Sequence, residues 1–222
     1  MPIIAIDGPA GAGKSTVTKL VAARLGLLFL DTGAMYRAIT WLVIEANLAL
    51  DDEMGVADLV DRATITLTGE RVVVNDIDVT EAIRSIEVTS KVSQIAALGV
   101  VRASLVKQQQ AIGAKGGIVA EGRDMCTHVF PNAEVKIFLS ASVNERARRR
   151  QQDLIQQGQG TIDLLELGRS IAERDEIDSN RSISPLKKAA EAIEIITDHL
   201  TIDQVVDRII QLYQAIPIKT DK

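Results

Sequence analysis

A glycine-rich run near the start of the chain has the residue types and the spacing needed to hold phosphate. It consists of Gly8, Pro9, Ala10, Gly11, Ala12, Gly13, Lys14, Ser15 and Thr16, and its first eight residues fit the pattern G-x-x-x-x-G-K-[ST]. Glycines let successive backbone N–H groups point at phosphate oxygens, and the start of a following helix adds positive potential. Lys14 can reach the β- and γ-phosphates, and Ser15 can ligate Mg²⁺. Because an apolar segment precedes the run and a helical pattern follows it, we interpret it as a nucleoside triphosphate site rather than a simple turn.

Arginines form a second group of residues that could do chemistry. Transfer of a phosphoryl group needs spread positive charge, and the arginine fork binds phosphate through two hydrogen bonds without losing its proton. The candidates are Arg37, Arg102 and Arg123, each close to an apolar segment, and Arg146, Arg148, Arg149 and Arg150 on one predicted helix. A charged run is usually a solvated helix face. Four arginines without a lysine, in an acidic protein, favour instead phosphoryl transfer to a small acceptor.

Other classes of phosphate-loop protein fit the sequence less well. A GTPase would carry N-K-x-D to read guanine, and no Asn-Lys dipeptide occurs; residues 52–55 match the looser D-x-x-G pattern but lie in polar sequence. A motor or transporter ATPase normally has an apolar strand that ends in a Mg²⁺-binding aspartate. The nearest equivalent is Glu121, which either supports the metal ion from behind its direct ligands or is only a polar strand end. The sequence favours the first interpretation.

Short apolar segments, which alternate with helical patterns, must position these residues. Five of them are predicted to be buried strands: PIIAID, LLFLD, GIVAEG, VKIFLSA and IEIITD. Apolar side chains on both faces are typical of a parallel sheet covered by helices. After the first strand, Val17, Leu20, Val21 and Leu25 form one helical stripe, and Gly26 is placed to end the helix. The alternation predicts an α/β, three-layer P-loop fold with a central parallel five-stranded sheet.

Two later helices have start signals in the sequence. Ser142 and Glu145 are spaced as a capping box, in which each side chain bonds the backbone N–H of the other residue. Gly158 is placed to end that helix. Thr201 and Gln204 form a second predicted box at the start of the last helix.

Residues 50–90 break the alternation of strands and helices. Within them, TITLTGERVVVNDIDVT alternates polar and apolar residues around a TGE turn, which predicts an antiparallel hairpin. We expect residues 50–90 to form an inserted small domain outside the main sheet. Residues 1–49 and 91–222 are then expected to form the core.

Composition limits the partners that we expect. The chain has 222 residues and a formal net charge of −5, which argues against general binding to nucleic acid or membranes. No apolar run approaches the length of a membrane span. The single cysteine, Cys126, allows no internal disulfide and fits a reducing compartment. We expect a cytoplasmic monomer whose partners are small molecules.

Five segments together resemble one known family in order and spacing. They are IDGPAGAGKST, LDTGAMYR, AEGRDM, VFPNAEVKIFLSAS with ERARRR, and ERDEIDSNRSISPL. They are similar to the bacterial cytidylate (CMP) kinases, which belong to the nucleoside monophosphate kinases. The likeness covers essentially the whole chain, whereas other monophosphate kinases share only the phosphate loop and the general architecture. It implies transfer of the γ-phosphate of ATP to CMP or dCMP with Mg²⁺. It also implies that residues 50–90 bind the monophosphate and that residues 146–165 form a lid, flexible at 157–163.

The resemblance implies roles for residues at the phosphate end of the site. Residues 8–16 would hold the phosphates of ATP, with Ser15 at the metal ion. Lys14, Arg123 and Arg148 would act on the transferred group, and Arg37 would grip the acceptor phosphate together with Arg123. Phosphoryl transfer consists mostly of positioning and charge stabilisation, so no covalent enzyme intermediate is expected.

The resemblance also implies which residues bind the acceptor's base and ribose. Thr32 would lie near cytosine, and Arg102 and Asp124 would bond the base; Arg174, Asp178 and Arg181 would touch the phosphate, ribose and base. Cytosine offers two acceptors and an amine donor, which an arginine and a carboxylate complement. The O4 of uracil would face the carboxylate as acceptor against acceptor, at a cost of roughly 1–3 kcal/mol.

Some alternatives remain open on the sequence alone. Cys126 and His128 stand where the family more often has glycine and an apolar residue. Two residues are too few for a structural zinc site, so we interpret them as packing variants rather than as a metal site or a nucleophile. A kinase for UMP or another small acceptor, and a nucleotide-dependent regulatory module, are the remaining alternatives. The pair Arg102 and Asp124 argues against the first, and the missing guanine motif against the second.

Overall fold

The computed structural model describes residues 1–156, 158 and 160–216. The strands are β1 (Ile3–Asp7), β2 (Leu28–Asp31), β3 (Ile65–Thr68), β4 (Arg71–Val74), β5 (Ile77–Asp78), β6 (Ile118–Gly122), β7 (Val135–Ser140) and β8 (Ile193–Ile196). The helices are α1 (Lys14–Leu25), α2 (Thr32–Glu45), α3 (Glu53–Arg62), α4 (Ile86–Ala97), α5 (Gly99–Gly113), α6 (Val143–Gln156), α7 (Leu164–Asn180) and α8 (Ile202–Gln214). The flexible segment predicted at 157–163 includes Gln157 and Gln159, which lie outside the described residues.

The five segments predicted as strands form one parallel sheet in the order β2-β6-β1-β7-β8. The prediction that all five are buried was wrong for the edge strands β2 and β8, which are partly exposed because each has a neighbouring strand on one side only. In the central strand, Ile4 pairs with Val119 of β6 on one side and with Val135 of β7 on the other. Because parallel strands end at the same edge of a sheet, the last residues of β1, β2 and β6 lie close together. Asp31 pairs directly with Glu121, and Asp7 pairs with Gly122. Asp31 and Glu121 are therefore neighbours at the carboxyl edge of the sheet, and Asp7 of the central strand ends at the same edge.

Helices cover both faces of this sheet, which confirms the predicted three-layer fold. On one face Ala5, Leu30 and Ala120 pack with apolar side chains of α2 and α5. On the other face Ile6 and Ile137 pack with apolar side chains of α1 and α8. No helix within the described ranges is long and apolar enough to cross a membrane.

The segment predicted as an insertion contains more structure than a hairpin. Strands β3, β4 and β5 form a separate antiparallel sheet, preceded by α3 and followed by a 3₁₀ turn at Ala82–Arg84 and by α4. Buried valines of this sheet pack on Ala34 and Ala38 of α2. The expected domain border at residue 90 falls inside α4, which continues to Ala97. The division of the chain into a core and an inserted domain stays a prediction. Asp52 of the D-x-x-G match caps α3, since its Oδ1 accepts the Gly55 N–H at 3.0 Å.

The predicted helix signals had different outcomes. Gly26 ends α1 in the left-handed conformation, and the Thr201–Gln204 box at α8 has both of its hydrogen bonds. The Ser142–Glu145 box is only half formed. Ser142 Oγ accepts the Glu145 N–H at 3.3 Å, but the Ser142 N–H donates to both carboxylate oxygens of Asp198 at 3.0–3.1 Å. The prediction of a reciprocal box was wrong because a residue distant in sequence supplies the second acceptor.

Gly8 is the position in the phosphate loop where a side chain would cost most stability. Its φ is +151°, and an added Cβ would lie 2.0 Å from the carbonyl oxygen of Leu139 in the adjacent strand. We expect Gly8→Ala to lower the free energy of unfolding by more than about 3 kcal/mol, because backbone must move. Gly26→Ala is the matched control. Gly26 is also left-handed but open to solvent, and the change should cost about 1 kcal/mol. Urea unfolding of both variants measures the difference, and equal losses would contradict it.

Candidate active site

A cleft of about 780 Å³ lies over the carboxyl edge of the main sheet. The predicted site residues that line it are Ala10, Gly11, Ala12, Gly13, Lys14, Ser15, Thr16, Thr32, Arg37, Arg102, Glu121, Arg123, Asp124, Arg148, Arg174, Asp178 and Arg181. Gly8 and Pro9 do not line the cleft; their carbonyl oxygens accept hydrogen bonds from Lys14. The structure thus gathers residues from nearly the whole length of the chain at one place. Their individual roles remain proposals.

The phosphate loop joins β1 to α1 and places Lys14 at the centre of the cleft. Gly13 has a φ of +88° and directly precedes the helix, so the first N–H groups of α1 face the cleft. Lys14 Nζ donates to Gly8 O and Pro9 O at 2.8 Å each. Burial, and next to it the charge of Arg123, lower the pKa of Lys14. A bound anion at this place would oppose that shift, so the loop is electrostatically suited to phosphate.

Glu121 and Ser15 form the part of the cleft that could hold a cation. Burial, and the charge of Asp31, raise the pKa of Glu121, and its buried Oε1 has no hydrogen-bond partner among the described residues. A carboxylate in this state gains from a nearby metal ion, and hard oxygen ligands are what Mg²⁺ prefers. The Ser15 hydroxyl lines the same part of the cleft and opposes the rise in the pKa of Glu121. The residues present therefore fit Mg²⁺. No group of three or more His, Cys, Asp or Glu side chains arranged for a metal ion occurs in the described part of the chain.

Three arginines, Arg37, Arg123 and Arg174, line the cleft, and of these only Arg123 forms an ion pair with a carboxylate among the described residues. Burial and the nearby Arg174 lower the pKa of Arg37 to about 9, and burial and Arg123 lower that of Arg174 to about 10. Arg37 Nη1 donates to Thr89 Oγ1 at 2.8 Å and to Ile83 O at 3.1 Å. The buried Nε of Arg174 has no partner among the described residues. Such a group is poised to bind an anion with several oxygens.

Beyond these arginines the cleft ends in a buried polar pocket. Arg102 and Asp124, both almost wholly buried, form an ion pair, and Arg181 Nη2 lies 3.7 Å from the other Asp124 oxygen. The Arg102 guanidinium also lies 5.5 Å from the centre of the Tyr36 ring. Arg102 Nε and Arg181 Nη2 have no hydrogen-bond partner among the described residues. A ligand with both acceptor and donor groups could satisfy this pocket. Nearer the middle of the cleft, Asp178 accepts a 2.9 Å hydrogen bond from Arg123 Nε.

The four arginines of α6 have different environments. Arg146 is buried and donates to Ala141 O, Ala10 O and Asp175, so it supports the phosphate loop from behind. Arg149 donates to Thr197 and Glu145, with a longer contact to Ala12 O. Arg148, Arg149 and Arg150 line the cleft. A merely solvated helix face therefore does not describe this cluster.

Sequence reasoning missed several residues of the cleft and its support. Asp7 is fully buried and accepts the Met125 and Cys126 N–H groups at 2.8 Å, fixing a π-helical turn at Met125–Val129. Asp31 lines the cleft and caps α2 by accepting the Ala34 N–H at 2.9 Å. The available signal was a carboxylate at or next to the end of four of the five apolar segments, which was used for Glu121 only.

Cys126 is packed in the core, whereas His128 lies at the surface, so the interpretation as a packing variant fits Cys126 only. The Cys126 thiol is buried against the carbonyl oxygens of Ala5 and Ile137, and burial raises its pKa. A thiol in this state is a poor nucleophile. The His128 side chain is exposed, and its Nδ1 contacts Thr127 Oγ1 at 2.9 Å.

Solved structures with a similar fold include a shikimate kinase and an uncharacterized protein. Shikimate kinase from Acinetobacter baumannii in complex with shikimate superposes with a TM-score of 0.51 at 14% identity, covering 99% of this chain and 96% of that one. An uncharacterized protein from Eubacterium ventriosum ATCC 27560 gives a TM-score of 0.55 at 12% identity, covering 97% and 99% of the two chains. At such low identity these similarities show the fold alone.

Sequence relatives are much closer. A bifunctional pantoate ligase/cytidylate kinase from Nostoc sp. (strain PCC 7120) is 60% identical over 220 residues, which are 96% of this chain and 41% of the relative. Its counterpart from Synechocystis sp. (strain PCC 6803) is 58% identical over 222 residues, or 96% and 43%. The chain spans about two fifths of the length of these curated relatives. The family model described as cytidylate kinase matches residues 4–215. The chain belongs to the cytidylate kinase family.

Proposed function

We propose that the chain transfers the γ-phosphate of ATP to CMP or dCMP, giving ADP and CDP or dCDP. One observation carries this proposal. The cleft holds two positively charged groups, the phosphate loop with Lys14 and the group around Arg37 and Arg174, with a polar pocket beyond the second. A site for one nucleotide needs only the first group. A second cluster of incompletely balanced arginines is what an acceptor that carries its own phosphate requires.

ATP is assigned to the phosphate loop. Residues 8–16 bind its phosphates through backbone N–H groups, and Lys14 stabilises charge on the β- and γ-phosphate oxygens. Arg148 and Arg123, which both line the cleft, are assigned to the transferred group. The position of Arg123 between Lys14 and Asp178 supports this assignment, because both residues influence or contact it.

CMP is assigned to the arginine group and the polar pocket. Arg37, Arg123 and Arg174 bind its phosphate, and Asp178 accepts hydrogen bonds from the ribose. Arg102, Asp124 and Arg181 face the base, with Thr32 near it. Supporting this, Thr32 is buried and lines the cleft, and its hydroxyl is held by a 2.6 Å hydrogen bond to Glu121 O.

Mg²⁺ is assigned to Ser15, with Glu121 supporting it and Asp31 nearby. When bound, it neutralises charge on the phosphate oxygens of the donor. The chain's own residues then need only to align the acceptor. An acceptor phosphate oxygen is largely ionised near neutral pH, because its second pKa is ≈ 6, and so it needs no strong general base. It attacks the γ-phosphorus in line, and ADP leaves.

Domain movement would keep water away from the transferred group. We assign acceptor binding to residues 50–90 and lid closure to residues 146–165, as the resemblance implies. Exclusion of water favours transfer to the acceptor over hydrolysis. We expect the chain to act in the cytoplasm as a monomer.

The direct experiment supplies single acceptors. Formation of ADP from Mg·ATP is measured with CMP, dCMP, UMP, AMP and GMP added separately. We expect rapid formation with CMP or dCMP and little with the purines. A preference for UMP or for a non-nucleotide would redirect the acceptor assignment. Release of ADP at one slow rate with every acceptor would favour a regulatory module instead.

A further inference from the structure

Glu145 places a carboxylate inside the cleft, where phosphate is expected to bind. Its Oε1 and Oε2 accept hydrogen bonds from Arg148 Nη2 and Nε at 2.8 Å each, so Arg148 and Glu145 form a bidentate ion pair. Glu145 Oε1 also accepts one from Arg149 Nε at 2.8 Å. A carboxylate in a triphosphate site repels the ligand unless cations neutralise it, so its presence there needs an explanation.

The start of α6 does not use this carboxylate. In a complete capping box Glu145 would accept the Ser142 N–H, but Asp198 takes that hydrogen bond with both oxygens. The remaining cap bond uses the Glu145 backbone N–H, not its side chain. The Glu145 side chain is therefore available for Arg148 and Arg149.

The two arginines differ in what else holds them. Arg149 donates to Thr197 O at 2.8 Å and to Thr197 Oγ1 at 3.0 Å, so it is fixed independently of Glu145. Within the described part of the chain, the hydrogen bonds of Arg148 go to Glu145 alone, and its side chain is half exposed. An exposed ion pair of this kind is weak and can exchange partners. Arg148 is thus the member of the pair that can turn to a ligand.

The charge state of Glu145 is consistent with such an exchange. Hydrogen bonds from Arg148, and secondarily from Arg149, lower the pKa of Glu145 to about 2. The carboxylate is therefore ionised at neutral pH and presents the same kind of acceptor to Arg148 as a phosphate oxygen pair.

We propose that Glu145 is a positioning residue that competes with the γ-phosphate of the donor for the fork of Arg148. In the absence of donor it holds Arg148 on its own helix. When the triphosphate binds, Arg148 exchanges the carboxylate for phosphate oxygens, and part of the binding free energy is used to break the ion pair. ADP has no γ-phosphate and does not engage Arg148 in this way. The inference rests on the proposed use of ATP as donor.

The test compares ATP with ADP in the variant Glu145→Gln. Titration calorimetry gives the Kd of each nucleotide in the presence of Mg²⁺. We expect the variant to bind ATP more tightly relative to ADP, with the ratio of the two Kd values changed by about two- to fivefold, the range of an exposed ion pair. A second prediction is faster hydrolysis of ATP to ADP in the absence of acceptor, because Arg148 is no longer bound to the Glu145 carboxylate and is free to contact the γ-phosphate.

Two control variants separate competition from other effects. Glu176→Gln makes the same change on the exposed face of α7, outside the cleft, and should leave the ratio unchanged. In an Arg148→Ala background, Glu145→Gln should no longer change the ratio of the ATP and ADP Kd values, because the arginine for which Glu145 competes is absent.

Each remaining outcome overturns a stated part of the inference. An unchanged ratio, or a weaker preference for ATP in Glu145→Gln, would refute competition. A persistent effect without Arg148 would show that Glu145 acts on another group. If the wild type binds ATP but forms no ADP from ATP and CMP, the proposed function is refuted. The competition between Glu145 and the γ-phosphate for Arg148 would still stand.

Discussion

Replacing Lys14 with methionine is expected to lower kcat by about 10²–10³-fold while the Kd for ATP changes little. Lys14 Nζ is held by Gly8 O and Pro9 O at the mouth of the phosphate loop, facing the place where the γ-phosphate is proposed to lie. Charge on the phosphate oxygens redistributes most during transfer, so the ammonium contributes more to the transition state than to ground-state binding. Methionine keeps an unbranched side chain as far as the ε position but removes the terminal ammonium group and its charge. Single-turnover rates with saturating ATP and CMP measure the loss.

Lys19→Met is the matched control for this prediction. Lys19 lies on the same helix but outside the cleft, where it forms an exposed ion pair with Glu70. Its loss should leave kcat within about twofold, because exposed ion pairs contribute little. Turnover by Lys14→Met at the wild-type rate would refute the assignment of Lys14 to the transferred phosphate.

Asp124→Asn is expected to reduce the preference for CMP over UMP, expressed as the ratio of kcat/KM values, by about 10–100-fold. An ionised carboxylate accepts hydrogen bonds and donates none, which suits the exocyclic amine of cytosine, a donor. An asparagine amide can donate to the O4 of uracil. The ratio is measured on one enzyme sample, so loss of folded protein does not affect it.

Some loss of stability should accompany this change. Asp124 neutralises Arg102 directly, with Arg181 nearby, and both arginines are buried. Removal of its charge leaves them uncompensated, which is costly in a dry interior. Asp61→Asn, the same change at an exposed site on α3, should alter neither the preference nor the stability. An unchanged CMP to UMP ratio in Asp124→Asn would disprove the proposed contact with the base.

The main sheet could be predicted from the sequence because its signals are local. Each of the five strands is a short apolar run, buried in the centre of the sheet and partly exposed in the edge strands β2 and β8, and the phosphate loop carries its own turn residues. The separate small sheet was recognised in the same way from its alternating pattern. The fold was therefore predictable wherever neighbouring residues determine the element.

Features that depend on distant partners could not be predicted in this way. The Ser142–Glu145 box failed because Asp198, from the loop after β8, accepts the Ser142 N–H. The π-helical turn after Asp124 exists because Asp7 of the first strand accepts two of its N–H groups. Likewise, nothing in the run of arginines on α6 distinguishes buried Arg146 from half-exposed Arg148. Only the packing of helix against phosphate loop separates their roles.

Direct transfer of phosphate between two bound nucleotides is the central claim, and ³¹P NMR tests it most directly. A mixture of Mg·ATP, CMP and the wild-type chain is followed until ATP is largely consumed. A cleft that binds a donor and an acceptor phosphate side by side predicts ADP and CDP in equal amounts, with inorganic phosphate only as a trace. Inorganic phosphate as the main product, or ATP consumption that is indifferent to CMP, would contradict it.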